Sequence, residues 1–387
     1  MTRRRPRRSG FTLVELLVVI LIIGVLMAIL VPTVLAAFRH AREAQVSAEL
    51  NNLATALASF KNTYGDYPPS RIILSEEGFS ATLARTEFAT PTMIPGTGSK
   101  STDMTYTQLA QRSLLYLRKF WSRADFTTSV GPTPKAGTFH DFNGNGTQDG
   151  YIILTGSECL AFFLGGIPIQ GTDPAGVAIV TGLSGFSKSP LLPFVDSNNA
   201  ANRTVPNYEF SNSRLIDQDG DHIPSYIDPL DTSIGNRRPY AYFSAYGTNS
   251  YDPNDVNGNG HLNPELEEDG TTVVERGFAV TFPPFNTTQQ PFAVVSPGPN
   301  PYTTSAAECG AVSFINPNSF QLFSAGQDRY WGLGGSYFAS GSAGGRLPIL
   351  AGGTCPNGDP GNVHGDTAAV RQREADNLTN FSGGRLD

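Results

Sequence analysis

"RRSGFTLVELLVVILIIGVLMAILVP", residues 7–32, joins a cluster of arginines through Gly10 to a long apolar run that carries one acid, Glu15. No polar residue occurs from Leu16 to Val31, and apolar character resumes over residues 34–38. Such a run predicts a helix of roughly 20 or more residues, enough to cross the ~30 Å hydrocarbon core of a bilayer. A cleaved secretory signal is the weaker reading, because its apolar region is usually only about 7–15 residues long and holds no acid. An ionised carboxylate facing lipid costs about 2.5 kcal/mol or more, so Glu15 is a functional residue by default.

The 387 residues, 39% hydrophobic and 16% charged, suffice for one large or two modest folded domains. With Gly 41 and Pro 28, the chain is turn-rich without reaching a disordered composition. Arg3, Arg4, Arg5, Arg7 and Arg8 contribute +5 to a formal charge of −7, so everything after them carries −12. That acidic balance argues against a nucleic-acid partner, which requires a basic face on the folded part. Arginines directly before an apolar run hold the N-terminus in the cytoplasm and send the following chain across the membrane.

The basic leader ending in Gly10, the sequence Phe11-Thr12-Leu13-Val14-Glu15-Leu16, the long apolar helix, Gly24 and Pro32 together resemble the N-terminus of type IV pilins and type II secretion pseudopilins. The resemblance implies that a prepilin peptidase cuts after Gly10 and methylates the new terminus at Phe11. It also implies that Glu15 pairs with the terminal amine of a neighbouring subunit during assembly. Cleavage creates an ammonium at Phe11, and in low dielectric its attraction to a carboxylate offsets much of the desolvation of both. Gly24 and Pro32 then mark helix that can bend or locally melt when subunits pack.

Beyond the apolar run, Val46, Leu50, Leu53, Leu57, Phe60 and Tyr64 recur at spacings of three and four and predict an amphipathic helix stopped by Gly65. Arg39, Arg42, Glu43 and Glu49 lie off this stripe and read as a solvated helix face. The chain thus divides into a leader (1–10), a transmembrane and filament-core helix (11–38), a spine helix (39–65) and a head (66–387). "FKNTYGDYPPS" (60–70), "RRPYAYFSAYG" (237–247) and "SFQLFSAGQDRYWG" (319–332) resemble the helix exit, first strand and last strand of major pseudopilins. About half the chain has no counterpart, so the head carries a large insertion. The expected fold class is α+β: a long N-terminal helix packed on a globular, pilin-like head with an antiparallel sheet and long loops.

Within the insertion, "TYTQLAQRSLLYLRKFW" (105–121) places Leu109, Leu114, Leu117 and Trp121 near helical spacing. "TGSECLAFFLGG" (155–166) reads as a short buried helix between a Thr start and a Gly-Gly stop. Strands are expected mainly from residue 240 on, including 271–282 and 291–296.

Three loops space oxygen side chains as a hard cation requires, at alternate positions around a tight turn. In "DQDGDHIPSYID" (217–228), Asp217, Asp219, Asp221 and Asp228 fall at positions 1, 3, 5 and 12, with the Ile223 carbonyl at 7. This loop resembles the aspartate-rich repeats of thrombospondin type 3 and is the leading Ca²⁺ candidate; His222 stands where an EF-hand has glycine. The loop at 255–267 offers Asp255, Asn257 and Asn259, with Leu266 at position 12 so that Glu265 or Glu267 must reach in. Loop 141–150 lacks an acid at position 12 and reads better as an Asn/Gly turn.

Cys159, in an apolar helix, is expected to be a buried thiol; Cys309 and Cys355 are candidates for a disulfide, and the sequence does not fix the pairing. The scattered histidines and the lack of HExxH, GxSxG or a glycine-rich phosphate loop argue against an enzyme. The reading is a filament subunit, with its helix in the inner membrane, N-terminus cytoplasmic and head periplasmic. Its expected partners are prepilin peptidase, further pilins or pseudopilins, and an inner-membrane assembly platform. The alternative is a membrane-tethered binding module that never polymerises.

Overall fold

The computed structural model describes residues 13–85, 88, 106–128, 139–174, 176, 178–194, 202–217, 220–230, 238–245, 265–266, 273–274, 301–304, 314–329, 331, 334–341, 345–347 and 368–386. Two compact units divide between Gln45 and Val46. The first consists of the N-terminal part of helix α1 (Leu13–Tyr64), where every large apolar side chain from Leu13 to Phe38 is exposed, the least so being Val34 at 41%.

The second unit begins with the rest of α1. Val46, Leu50, Leu53, Leu57 and Phe60 are buried as the stripe predicts, and Tyr64 is partly buried against the same core. Each such side chain contributes roughly 1.5–3 kcal/mol on removal from water, so packing rather than intrinsic propensity holds this stretch helical. Gly65 ends it at φ 83°, its N–H donating to the Lys61 carbonyl at 2.7 Å. A residue with a Cβ adopts that backbone reluctantly.

The chain then forms β1 (Ile72–Ser75), α2 (Phe79–Leu83), α3 (Tyr106–Phe120), β2 (Tyr151–Leu154) and α4 (Gly156–Gly165). Strands β1 and β2 pair antiparallel, Ile72 opposite Leu154, and every residue of both is buried. Helix α4 starts from a capping box: Glu158 accepts from the backbone N–H and hydroxyl of Thr155 at 2.7 and 2.8 Å. Its residues from Glu158 to Gly165 are buried. An aromatic cluster joins these helices, with Phe60 5.3 Å from Phe120 and 5.8 Å from Phe163, and Trp121 4.6 Å from Phe194.

Strands β3 (Pro168–Thr172) and β4 (Ala178–Leu183) form a hairpin, and β5 (Leu215–Ile216) pairs with β6 (Ser225–Tyr226). The strands expected around residues 240 and 320 are β7 (Ala241–Ser244) and, after the short β8 (Glu265–Leu266), β9 (Val273–Val274) and β10 (Tyr302–Thr303), β11 (Phe320–Ser324). β11 lies between β7 and β13 (Leu378–Thr379), antiparallel to both, while β12 (Gly335–Ser336) pairs in parallel with β10. The C-terminal stretch, read as either docked or mobile, supplies helix α5 (Ala368–Glu374) and β13. The ion pair Arg371–Glu374, 2.6 Å and buried, fastens α5, since Arg371 also donates to the Gly334 and Ser336 carbonyls.

The class is α+β, a long apolar N-terminal helix followed by a head of small, mainly antiparallel sheets. One expectation needs correction, and another lies mostly outside the described residues. Strands are not concentrated after residue 240, because β1 to β6 precede it. Of the runs 271–282 and 291–296, only β9 falls within the described residues.

Candidate functional site

Glu15 lies in the first turn of α1, exposed, with Leu16 to Leu21 around it equally exposed. Gly10 and Phe11 fall outside the described residues. At Gly24 an added Cβ would meet nothing within 4 Å among the described residues, so none of them requires a glycine there. Helix α1 continues through Pro32. Proline has no N–H to give the Ala28 carbonyl, and one turn of ladder is weakened. The neighbouring Thr33 hydroxyl donates to the Leu30 carbonyl at 2.8 Å and approaches that of Ile29 at 3.3 Å. By length and composition α1 is a helix able to cross a membrane, and it is the only one among the described residues.

In the head, α1 carries a group that the sequence reading placed on a solvated face. The Glu49 side chain is only 14% exposed. Its carboxylate accepts from Arg214 at 2.6 and 3.0 Å, and from the hydroxyls of Tyr240 (2.6 Å), Tyr226 (2.8 Å) and Tyr208 (3.2 Å). Burial alone would raise its pKa; the hydrogen bonds from Arg214 and Tyr240 and the guanidinium charge bring it below the usual carboxylate value. Burial and the neighbouring carboxylate push Tyr226 up to about 12. Arg214 also lies 4.1 Å over the Tyr226 ring. This is a positional lock between spine and head rather than a reactive centre, since no member is both exposed and poised to give up a proton.

The loop residues expected to hold a cation are placed as follows. Asp217 accepts from the N–H groups of Gly220 and His222 at 2.8 and 3.0 Å, and Asp221 from that of Ile223 at 2.7 Å. Asp228 is buried, accepting from Leu230 N–H at 2.8 Å and from the Ser324 hydroxyl. Burial lifts its pKa to about 6, against the pull of those two bonds. Asp219, Asp255, Asn257 and Asn259 fall outside the described residues, as do Cys309 and Cys355. Among the described residues no three Asp, Glu, His or Cys side chains stand together as a metal-holding group.

Loop 141–150 is a network of Asn and Asp turns. Asn143 and Asn145 both donate to Asp149, and Gly146 N–H donates to Asp141. Buried Glu76 accepts from the N–H groups of Phe142 and Asp149 at 2.9 and 2.8 Å. Burial, then the charges of Asp141 and Asp149, hold its pKa well above the usual value. His140 packs 4.7 Å from the Phe126 ring, its Nε2 2.9 Å from the Asp125 carbonyl, and burial lowers its pKa. Cys159 is a buried free thiol, as expected.

With this geometry in view, residues 5–31 match the family model described as the prokaryotic N-terminal methylation motif. The chain therefore carries a prepilin-type methylation motif at the head of an exposed apolar helix, and it is homologous to type IV pilins and to a type II secretion pseudopilin. It is 36% identical over 81 residues to the Type IV wide pilus major component PilA4 of Thermus thermophilus, covering 21% of this chain and 62% of that protein. It is 37% identical over 70 residues to the Type IV major pilin protein PilA of Myxococcus xanthus (17% and 32%), and 34% over 68 residues to the Type II secretion system core protein G of Pseudomonas aeruginosa (18% and 48%). The chain spans less than two thirds of the length of each of these relatives. No solved structure matches. The fold is pilin-like, and the N-terminal apolar helix together with this homology points to a membrane anchor.

Proposed function

We propose that the chain is a structural filament subunit, a pseudopilin or pilin of a type II secretion or type IV pilus-like system, and not an enzyme. The observation that carries this reading is a methylation motif leading into an exposed apolar helix with one acid, Glu15, in its first turn. Prepilin peptidase cuts after Gly10 and methylates Phe11. The precursor spans the inner membrane once with its N-terminus cytoplasmic and its head periplasmic. An assembly platform then draws the helix into a bundle with other pilins or pseudopilins, where Glu15 meets the ammonium of a neighbouring Phe11. Gly24 is free to admit the close approach of another helix, and the ladder gap at Pro32 lets the rod adjust. Because lipid is as apolar as the helix, close helix packing and the Glu15–ammonium pair supply the association.

Mass spectrometry of the mature N-terminus tests the processing step: a methylated Phe11 is expected, and a chain retaining Met1 overturns it. Glu15→Ala tests assembly, because it should abolish filaments while leaving membrane insertion intact. A tethered binding module, the alternative favoured by the large head, would retain its function in that variant.

Calcium belongs to the same proposal. Asp217, Asp221 and the Ile223 carbonyl, joined by Asp219, would bind Ca²⁺ and so fix a loop with little core of its own; Asp228, turned toward Ser324, would support the loop from within. Loop 255–267 would supply a second site through Asp255, Asn257 and Asn259. Thermal unfolding with and without chelator tests this, a melting point unchanged by Ca²⁺ sinking it.

A further inference from the structure

Arg39 and Arg42 have no role in the assembly scheme. Both are exposed, three residues apart on one face of α1, immediately beyond the apolar run that ends at Phe38. Beside them are His40 and the acid Glu43, His40 Nδ1 lying 3.4 Å from a Glu43 carboxylate oxygen. Between Phe11 and Phe38 there is no basic residue, so once the leader arginines are removed these two are the first cationic side chains of the helix, at the opposite end of the apolar run from the Phe11 ammonium.

Granted the membrane-inserted reading, on which this rests, we propose that Arg39 and Arg42 bind the phosphates of anionic phospholipids at the head-side face of the membrane and thereby set the depth of the helix. Arg39 lies 24 residues past Glu15 in one continuous helix, or ~36 Å at ~1.5 Å per residue. With the guanidinium groups among headgroups on one side, Glu15 lands just beyond the ~30 Å hydrocarbon core on the other, within the ~40–45 Å total thickness. The acid is then solvated while the subunit waits in the bilayer. Its desolvation falls at extraction, when an ammonium from another subunit is at hand. A free phosphate ion could neutralise the same arginines but could not fix a depth, and the apolar run ending at Phe38 places them at a lipid surface.

The test uses the full mature chain reconstituted in vesicles of phosphatidylcholine alone or mixed with phosphatidylglycerol. Phe38→Trp reports on lipids beside the arginines, and Leu16→Trp on depth near Glu15. Brominated phosphatidylglycerol should quench the Phe38→Trp reporter more than brominated phosphatidylcholine does, a preference on the order of fivefold per arginine at low salt that fades as salt is added. Arg39→Gln with Arg42→Gln should abolish the preference, and Arg39→Lys with Arg42→Lys should keep it. The Leu16→Trp reporter should be quenched by bromine high on the acyl chain rather than near its end. Equal quenching by both headgroups, or strongest quenching of Leu16→Trp by deep bromine, overturns the proposal while leaving the inserted helix standing. No quenching by any brominated lipid overturns insertion itself and the proposal with it.

Discussion

Arg214 grips Glu49 at two points, Nη2 at 2.6 Å from one carboxylate oxygen and Nη1 at 3.0 Å from the other. Glu49 lies on the spine helix α1 and Arg214 165 residues further along the chain. Three tyrosine hydroxyls complete the shell, so the carboxylate leaves water without losing its hydrogen bonds.

Glu49→Ala strands Arg214 in a largely buried site. A loss of about 3 kcal/mol is expected, read as a fall in the thermal midpoint of the detergent-solubilised chain. Tyr240→Phe should cost about 1–2 kcal/mol, and the double variant should lose less than the sum because the groups share one partner. Additive losses would mean that the shell does not act as a unit.

The pH dependence follows from two carboxylates shifted in opposite directions. Glu49 titrates below 4.5 in the fold, so its contribution is present above pH 4.5 and is lost as pH falls through the folded value. Glu76 titrates well above 4.5, so its contribution is complete below pH 4.5 and is lost as pH rises through its folded value. Glu76→Gln keeps a neutral side chain but leaves one of two backbone N–H donors without its acceptor. The variant should be less stable than the parent near pH 4.5 by about 1–2 kcal/mol, and the gap should narrow toward pH 8. Melting curves in chelator at both pH values check this; a gap independent of pH sinks it.

How far the sequence disclosed this structure depended on the range of the determining contacts. The stripe from Val46 to Phe60 was legible because helical period and burial coincide within one element. Helix α4 was legible because Thr155 and the Gly165–Gly166 pair mark both its ends locally, and the structure adds Glu158 to the cap. β7 and β11 were found through resemblance, and their pairing, Leu322 opposite Tyr242, shows why both are apolar. β1 and β2 were missed: Ile72–Ser75 and Tyr151–Leu154 are four-residue runs buried throughout, with no alternation to mark a strand. Glu49 was misread because its partners lie 159 to 191 residues away. A Tyr- and Arg-rich stretch from 208 to 240 was the available signal, but it names no partner.

Gly166 and Gly176 offer a contrast between a crowded glycine and an open one. A Cβ on Gly166 would lie 2.2 Å from the Gly185 Cα, and its φ is 97°. Gly176 has φ 84° with nothing within 4 Å among the described residues. Gly166→Ala therefore combines left-handed strain with a backbone clash, about 3–5 kcal/mol together, and should yield little soluble folded protein. Gly176→Ala carries the strain alone, about 1–2 kcal/mol. Equal melting points for the two variants would show that the contact between residues 166 and 185 is not a close one.

Cys159 sits at the centre of α4 with no exposed surface, and burial first, then the charge of Glu158, pushes its thiol pKa well above 9.0. Only the thiolate reacts with alkylating agents, and here both charge and access are denied. Iodoacetamide at pH 8 should leave the Cys159 peptide unmodified in the native chain for as long as α4 stays packed, and modify it fully in denaturant. Because α4 packs against β6 and β7, the native labelling rate measures opening of the head core, and Glu49→Ala should raise it if the spine carboxylate holds that core closed. Rapid labelling of the unaltered chain would show that α4 is not buried in solution.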